Sequence, residues 1–203
     1  MENLSSVSQM LGNNQPLSPL STNNTATPQR DDTVSQIGAT IGTAAGGGAA
    51  SFKFSSEFSS SIKSGIEAVK TSEPGIGNKV KATLPTVKEM GITSMKGAGI
   101  GALIAGGVSA ITNIYDVSTG KKTGAEAVGT AAADAASGAV GGMLGVASGG
   151  LATFALSSML GSTPLMIVGV GVGALGAIAA DKLFKGTGLY DGLRNSVIKM
   201  MSK

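Results

Sequence analysis

The sequence predicts an all-α protein built on a glycine/alanine-packed, transmembrane helical hairpin, with a disordered N-terminal tail and flanking amphipathic helices. Residues 135–180 carry no charged side chain, and glycine occupies 32 of the 203 positions. Charged residues make up 13% of the chain, against about 25% in a typical soluble domain. A chain so poor in charge cannot build an ordinary water-facing surface, so a bilayer is its expected environment.

The uncharged run is the strongest of these signals. As a single helix, residues 135–180 would measure about 69 Å, roughly twice the ~30 Å hydrocarbon core of a bilayer. The run is therefore expected to fold back on itself. Gly161 and Pro164 mark the turn, since glycine ends helices and proline is tolerated in a first turn. The predicted arms are 137–160 and 164–180.

A second apolar segment, residues 97–115, is also free of charge and has about the length of one membrane span. Lysines lie on both of its sides, whereas lysines near a span favour the cytoplasmic side. A full span cannot satisfy both flanks, so a re-entrant or interfacial segment remains the alternative. For the hairpin, the same rule places the 161–163 turn outside and the C-terminal tail in the cytoplasm.

The region before this segment divides by composition. Residues 1–36 are rich in Ser, Asn, Gln, Thr and Pro, which predicts a disordered polar tail. Residues 37–96 comprise a small-residue segment at 37–50, an amphipathic helix at 52–71 and a proline-bounded linker at 73–88. The small-residue segment is uncharged but too short to cross a membrane alone.

Residues 181–203 are predicted to form a basic amphipathic C-terminal helix. Leu189, Leu193 and Val197 mark one face, as in a helix that lies on a membrane surface and is drawn to anionic headgroups. A solvated helix that packs on its own protein is the alternative. The cations expected at the membrane surface are Lys182, Lys185, Arg194 and Lys199.

Small residues within 97–180 recur at every fourth position, on one face of each predicted helix. Lipid gives apolar helices no hydrophobic drive to associate, so they depend on the close backbone approach that small residues allow. Residues 38–50 repeat this spacing. The expected helix-packing positions are Gly97, Gly101 and Ala105, then Gly141, Gly145 and Gly149, then Gly169, Gly173 and Ala177.

These strips resemble the glycine-zipper segments of membrane-associated bacterial and phage proteins, including pore formers and secretion components. The resemblance covers 97–180 and is compositional. It implies helix packing and self-association, and it carries no catalytic residue. The glycines are expected to pack the chain's own arms, with a homo-oligomer as the alternative.

Several kinds of chemistry have no basis in the sequence. The chain contains no cysteine and no histidine, which removes disulfides, imidazole catalysis and the usual zinc ligands. Residues 171–176 match GxGxxG, with Asp191 twenty residues after Gly171, but a dinucleotide site needs a βαβ unit that is not predicted. Asp134 is expected at the water-facing end of a span, with an intramembrane relay as the alternative.

The expected function is that of a helical membrane protein with a structural or permeabilising role, in a bacterial cell membrane. A virion or injection-system component that is delivered to a target membrane is the alternative. The expected partner is the lipid bilayer, together with a second copy if the protein self-associates. No enzyme activity, cofactor, metal or small-molecule substrate is predicted. Nucleic acid is not an expected partner either, since the net charge is only +3 and aromatic residues make up 3%.

Overall fold

The prediction of an all-α fold is confirmed. The computed structural model describes residues 33–160 and 165–203, and within them it contains helices and no strand. Residues 1–32 of the predicted tail and the predicted turn at 161–164 lie outside the described residues. The helices are α1 (Thr33–Thr71), α2 (Ile76–Ser118), α3 (Gly124–Leu160), α4 (Leu165–Gly186) and α5 (Leu189–Met201).

The first four helices form an up-down bundle. Gly46 of α1 faces Gly101 of α2, and Gly42 faces Ala105, so these helices run antiparallel. The pairs α2/α3 and α3/α4 are antiparallel in the same way. Helices α1 and α3 form the central diagonal, because each of them contacts both α2 and α4.

Helix α1 begins earlier than predicted and joins the two predicted segments. Residues 33–36, expected in the disordered tail, form its first turn, and the segments 37–50 and 52–71 lie on one continuous helix. The small-residue segment is therefore part of a helix that packs centrally in the bundle. Residues 33–52 carry no charge, about 30 Å of helix.

The predicted linker at 73–88 is wrong for most of its length. The chain turns at Gly75, whose φ of 128° is accessible to glycine, and α2 begins at the next residue. Pro85 lies inside α2. A proline removes the hydrogen bond to the carbonyl four residues earlier, but both Pro85 and Lys81 are exposed, so water can solvate the freed carbonyl.

The predicted C-terminal helix is two elements. Helix α4 continues to Gly186, so residues 181–186 belong to it, and α5 begins at Leu189. Gly188 separates them with a left-handed φ of 74°. Helix α5 packs mainly on α3 and less on α4, so it is a terminal helix that contacts its own protein.

The α1/α2 hairpin extends past the first turns of α4. The first turns of α4 lie beside Ser55 of α1. Ten residues further along α1, about 15 Å, Gly65 packs against Thr86 of α2. The end of this hairpin, residues 64–71 and 76–87, is called the stalk below.

Candidate functional site: a helical bundle with a polar interior

Three helices of the bundle are long and apolar enough to cross a membrane, by length and composition. They cover Ile76–Ser118, Gly124–Met159 and Ile167–Gly186. The segment 97–115, for which the sequence allows either a full span or a re-entrant or interfacial segment, belongs to the first of them. Its nineteen uncharged residues measure about 28 Å along the axis, which matches the ~30 Å hydrocarbon core of a bilayer.

Helix α1 lies at the same level, but its inward face is polar. The hydroxyl residues Thr43, Ser51, Ser55 and Ser59 are buried. The Ser51 hydroxyl donates a hydrogen bond to the Gly169 carbonyl at 3.0 Å. In a bilayer, α1 needs the other three helices to shelter this face, because unsatisfied polar groups are costly in hydrocarbon.

The interface between α2 and α3 is formed by backbone. Gly97, Gly101 and Ala105 are buried on one face of α2. A Cβ on Gly101 would overlap the carbonyl of Gly138 and lie 2.9 Å from the Cα of Gly142. Neither neighbour is a flexible side chain, so the two helices can pack at this distance only with glycine at these positions.

The remaining predicted packing residues lie where α1, α3 and α4 meet. Their contacts pair Gly141 with Ala177, Gly145 with Gly173, and Gly149 with Gly169. All six are buried. The structure thus places all nine predicted packing residues between helices of the same chain.

Several glycines that pack helices are absent from the predicted set. Gly47 faces α3 and α4, while its neighbour Gly46 faces α2. On α3, Gly142 faces α2, whereas the adjacent Gly141 faces α1 and α4. Adjacent glycines point about 100° apart on a helix, so doubled glycines are the available sequence signal for a helix that packs on two sides.

The bundle has its large apolar side chains on the outside. Leu103 and Ile111 of α2 are 77% and 72% exposed, and Ile167 and Leu175 of α4 are 81% and 67% exposed. The buried positions are mostly Gly, Ala, Ser and Thr, with Phe54, Phe58 and Val146 as the large apolar exceptions. This distribution is the reverse of that in a soluble helical bundle.

A buried polar network closes one end of the bundle. Asp134 of α3, expected at the water-facing end of a span, is 3% exposed, so its carboxylate faces the protein interior and not water. Its carboxylate accepts hydrogen bonds from the Ser109 hydroxyl at 2.5 Å and from the Tyr190 hydroxyl at 2.9 Å. Asn113 donates to Ser109 at 2.9 Å, and Lys122 donates to Asn113 at 2.9 Å. The network connects α2, α3 and α5.

A second buried carboxylate lies in the same region. Asp181 is 2% exposed; it accepts a hydrogen bond from the Ser137 hydroxyl and pairs with Lys185 at 2.9 Å. The Lys185 ammonium also lies 5.4 Å from the centre of the Tyr190 ring. Since buried charges need partners, these contacts account for the burial of the acidic residues Asp134 and Asp181.

The four predicted membrane-surface cations fall into two groups. Lys182 and Lys199 are exposed. Lys185 pairs with Asp181, and Arg194 donates to the Thr130 hydroxyl at 3.3 Å. The second group therefore makes contacts within the protein.

Helix α5 is held to α3 by three residues one turn apart. Tyr190 bonds Asp134, Arg194 bonds Thr130, and Ile198 lies against Gly129. Burial and the neighbouring Asp134 carboxylate raise the pKa of the Tyr190 hydroxyl, so it remains a hydrogen-bond donor at physiological pH.

The match to the dinucleotide fingerprint does not lie in a βαβ unit. Residues 171–176, which match the dinucleotide fingerprint, lie inside α4 and lack the strand that such a site requires. Within the described ranges, no group of three or more His, Cys, Asp or Glu is placed to hold a metal ion. Comparison with protein-family models, curated proteins and solved structures finds no match for this chain.

Proposed function

We propose that this protein is an integral membrane protein whose α1–α4 bundle lies within a bilayer, with a structural or permeabilising role. The observation that supports this most directly is the reversed polarity of the bundle. Isoleucine and leucine side chains face outward, while glycines, hydroxyls and two carboxylates face inward.

Water and lipid affect such a bundle in opposite ways. In water, each exposed leucine or isoleucine forgoes about 1.5–3 kcal/mol of burial free energy. In lipid this penalty disappears, and close packing through glycine together with interhelical hydrogen bonds becomes the main source of association. The bundle has both features, so lipid is the solvent that fits it.

We further propose a location, an orientation and an assembly for this protein. The membrane is a bacterial cell membrane, with the C-terminal tail in the cytoplasm. Lys121, Lys122 and Lys182 at that end of the bundle support this orientation under the positive-inside rule, although lysines of the stalk lie at the other end. The protein has no catalytic activity, and copies of it self-associate through surfaces that the bundle leaves free.

Flotation and dye release test the proposal on one sample. Purified protein is mixed with vesicles of phosphatidylethanolamine and phosphatidylglycerol that contain a self-quenched dye. The protein is expected to float with the vesicles and to resist extraction at alkaline pH. Release of dye indicates a permeabilising role, and retention indicates a structural one. A monomer that stays in the aqueous fraction without detergent contradicts the proposal.

A second candidate is a virion or injection-system component that reaches a target membrane from outside. Helix α1 favours it, because this helix is not among those apolar enough to cross a membrane by themselves, and its buried hydroxyls make it a weakly inserting segment that must enter the bilayer together with the other helices. Fractionation of the producing cells distinguishes the two. The resident protein is found in the producer's own membrane, whereas the delivered one is found in particles or in the recipient's membrane.

A further inference from the structure

Helices α1, α3 and α4 face one another with small and polar side chains. Fourteen buried positions on these faces recur at steps of four residues along each helix, and together they are called the seam below. None of them carries a large apolar side chain. They are Thr43, Gly47, Ser51, Ser55 and Ser59 of α1, Ser137, Gly141, Gly145, Gly149 and Thr153 of α3, and Gly169, Gly173, Ala177 and Asp181 of α4. From Ser137 to Thr153 the seam measures about 24 Å along the axis.

Contacts between the helices join these positions into one line. Thr43 lies against Gly141, Gly47 against Gly145 and Ala177, Ser51 against Gly149 and Gly173, and Thr153 against Gly169. Backbone oxygens line the part without hydroxyls. The carbonyls of Gly173 and Gly141 lie 3.3 Å and 3.4 Å from the place that a Cβ on Gly47 would occupy. A carbonyl oxygen has two lone pairs, so the seam offers hydrogen-bond acceptors between its hydroxyls as well.

Ser55 places a buried hydroxyl without a partner in the seam. The residue is 0% exposed, and its Oγ has no hydrogen-bond partner among the residues that the structure describes. This atom lies 3.7 Å from the place that a Cβ on Gly169 would occupy, beside the Thr153 hydroxyl. Buried hydroxyls are normally hydrogen-bonded, and buried water commonly serves groups that the protein leaves unpaired. The Ser55 hydroxyl therefore indicates that the seam receives water.

The opposite end of the seam is formed by a carboxylate. Asp181 accepts a hydrogen bond from Ser137 and pairs with Lys185 at 2.9 Å. The Lys185 side chain is 29% exposed, so it connects the buried carboxylate with the surface of the bundle. Acidic residues in the interior of a membrane bundle mark proton and ion pathways. The seam has one carboxylate, and this carboxylate already has a cation partner, so a proton suits the seam better than a metal ion.

We propose that the seam conducts protons across the bilayer. This rests on the proposed membrane function and gives its permeabilising form a substrate. A proton from water binds the Asp181 carboxylate and passes to a chain of hydroxyls and waters. Each oxygen in the chain accepts one proton as it releases another, so no group is consumed.

The described state of the seam is closed. Thr43 and Ser51 are about 12 Å apart along α1, and between them Gly47 is in contact with Ala177 of α4. Water completes the chain when α1 and α4 separate here by about 2.8 Å, the diameter of one water molecule. Glycines on both sides leave no bulky side chain to obstruct that water.

Proton flux into vesicles tests the path. Full-length protein is placed in phosphatidylethanolamine/phosphatidylglycerol vesicles with trapped pyranine, and the outside is acidified while potassium and valinomycin balance the charge. The wild type is expected to acidify the lumen severalfold faster than empty vesicles do. Asp181→Asn and Ser55→Ala are each expected to slow this severalfold. Ser55→Ala removes no hydrogen bond within the described protein, so a purely structural role for Ser55 predicts unchanged flux.

Two variants serve as matched controls for these changes. Asp134→Asn alters a carboxylate that is equally buried but bonds Ser109 and Tyr190 outside the seam. Ser56→Ala removes an exposed hydroxyl next to Ser55. Both controls are expected to keep the wild-type flux.

A reversible disulfide between α1 and α4 tests the opening. A Cβ on Gly48 would lie 3.7 Å from the Cβ of Ala174, within the range of a disulfide, and the chain has no cysteine of its own. Oxidation of the double variant Gly48→Cys/Ala174→Cys in vesicles is expected to stop the flux. Reduction with dithiothreitol is expected to restore it in the same sample, which shows that the variant is folded.

Four results would overturn the proton path: no flux above empty vesicles from wild-type protein that floats, wild-type flux in both Asp181→Asn and Ser55→Ala, an equal loss in Asp134→Asn, or flux that oxidation leaves unchanged. Flotation of the same samples separates the two proposals. Protein that floats without proton flux refutes only the path, and protein that does not float refutes the membrane function.

Discussion

Two faces of one helix, the inward and outward faces of α2, show what glycine spacing does and does not reveal. Inward, Gly97 and Gly101 touch the backbone of α3. Outward, Gly99 and Gly107 have open space where a Cβ would lie. All four are glycines in one apolar helix, so composition treats them alike. The packing partner decides which of them is required.

The largest expected effect comes from adding one methyl group to each face. Gly101→Ala forces a Cβ into the Gly138 carbonyl, and the helices must separate at a cost of about 3 kcal/mol, the upper end of the range for overpacking because the neighbouring atoms are backbone. Gly99→Ala meets nothing, and alanine is the better helix former by up to about 1 kcal/mol. In circular dichroism melts in detergent, the melting temperature of Gly101→Ala is therefore expected to fall, whereas that of Gly99→Ala is expected to rise or to stay unchanged. Equal losses in both variants would contradict the assigned contacts.

Glycine spacing in the sequence was sufficient to identify the inward face of α2, because Gly97, Gly101 and Ala105 share one helix face. It could not identify Gly47 or Gly142 as contacts, since a helical wheel does not show how many neighbours a helix has. The segment 37–50 was judged too short to cross a membrane because the polar residues that follow it hid the continuity of α1. Tertiary packing shelters those residues, and no local pattern reports this.

The partners of Asp134 were also beyond the sequence. Ser109 lies 25 positions away from it and Tyr190 lies 56 positions away, and no spacing rule joins residues on three helices. Pro85 misled the prediction of α2 in a different way. Proline usually ends a helix, but here the freed carbonyl is on the solvent side.

The second-largest effect is expected where the inward face of α2 continues past the glycines. Ser109→Ala removes the hydrogen bond to the buried Asp134 carboxylate, at a cost of about 1.5–3 kcal/mol. Ile111→Ala, half a turn away on the outward face, removes contacts that lipid or detergent replaces, so its melting temperature is expected to change much less. A larger loss in Ile111→Ala would indicate that the outward face is packed against protein.

A smaller effect is expected at α5. Tyr190→Phe removes one hydrogen bond between α5 and Asp134 and is expected to weaken the docking of α5 by about 1–2 kcal/mol. Limited trypsin digestion should then cut faster at Arg194 and Lys199. Tyr115→Phe, on the exposed side of α2, serves as the control. Unchanged cleavage in Tyr190→Phe would show that the tyrosine hydroxyl does not hold the helix.

The smallest effect is expected at the exposed pair of Lys96 and Glu57, which are 2.6 Å apart. The hydrogen bond from Lys96 lowers the pKa of the Glu57 carboxyl below 4.5. The stabilisation that the Lys96–Glu57 pair provides is therefore present above about pH 4.5 and lost as the pH falls further. Since both side chains are half exposed, the loss should be only a few tenths of a kcal/mol. The fall in melting temperature between pH 7 and pH 4 should be slightly smaller in Glu57→Gln, which lacks the pair, than in Glu67→Gln, which keeps it.

Spin-label accessibility tests the placement of the bundle in lipid most directly. Single cysteines at Leu103, on the outward face of α2, and at Glu89, near the stalk, are labelled in vesicles and exposed to oxygen and to a water-soluble nickel chelate. The label at position 103 is expected to collide with oxygen and not with nickel, and the label at 89 is expected to show the reverse. Nickel accessibility at 103 equal to that at 89 would mean that the apolar exterior of the bundle faces water.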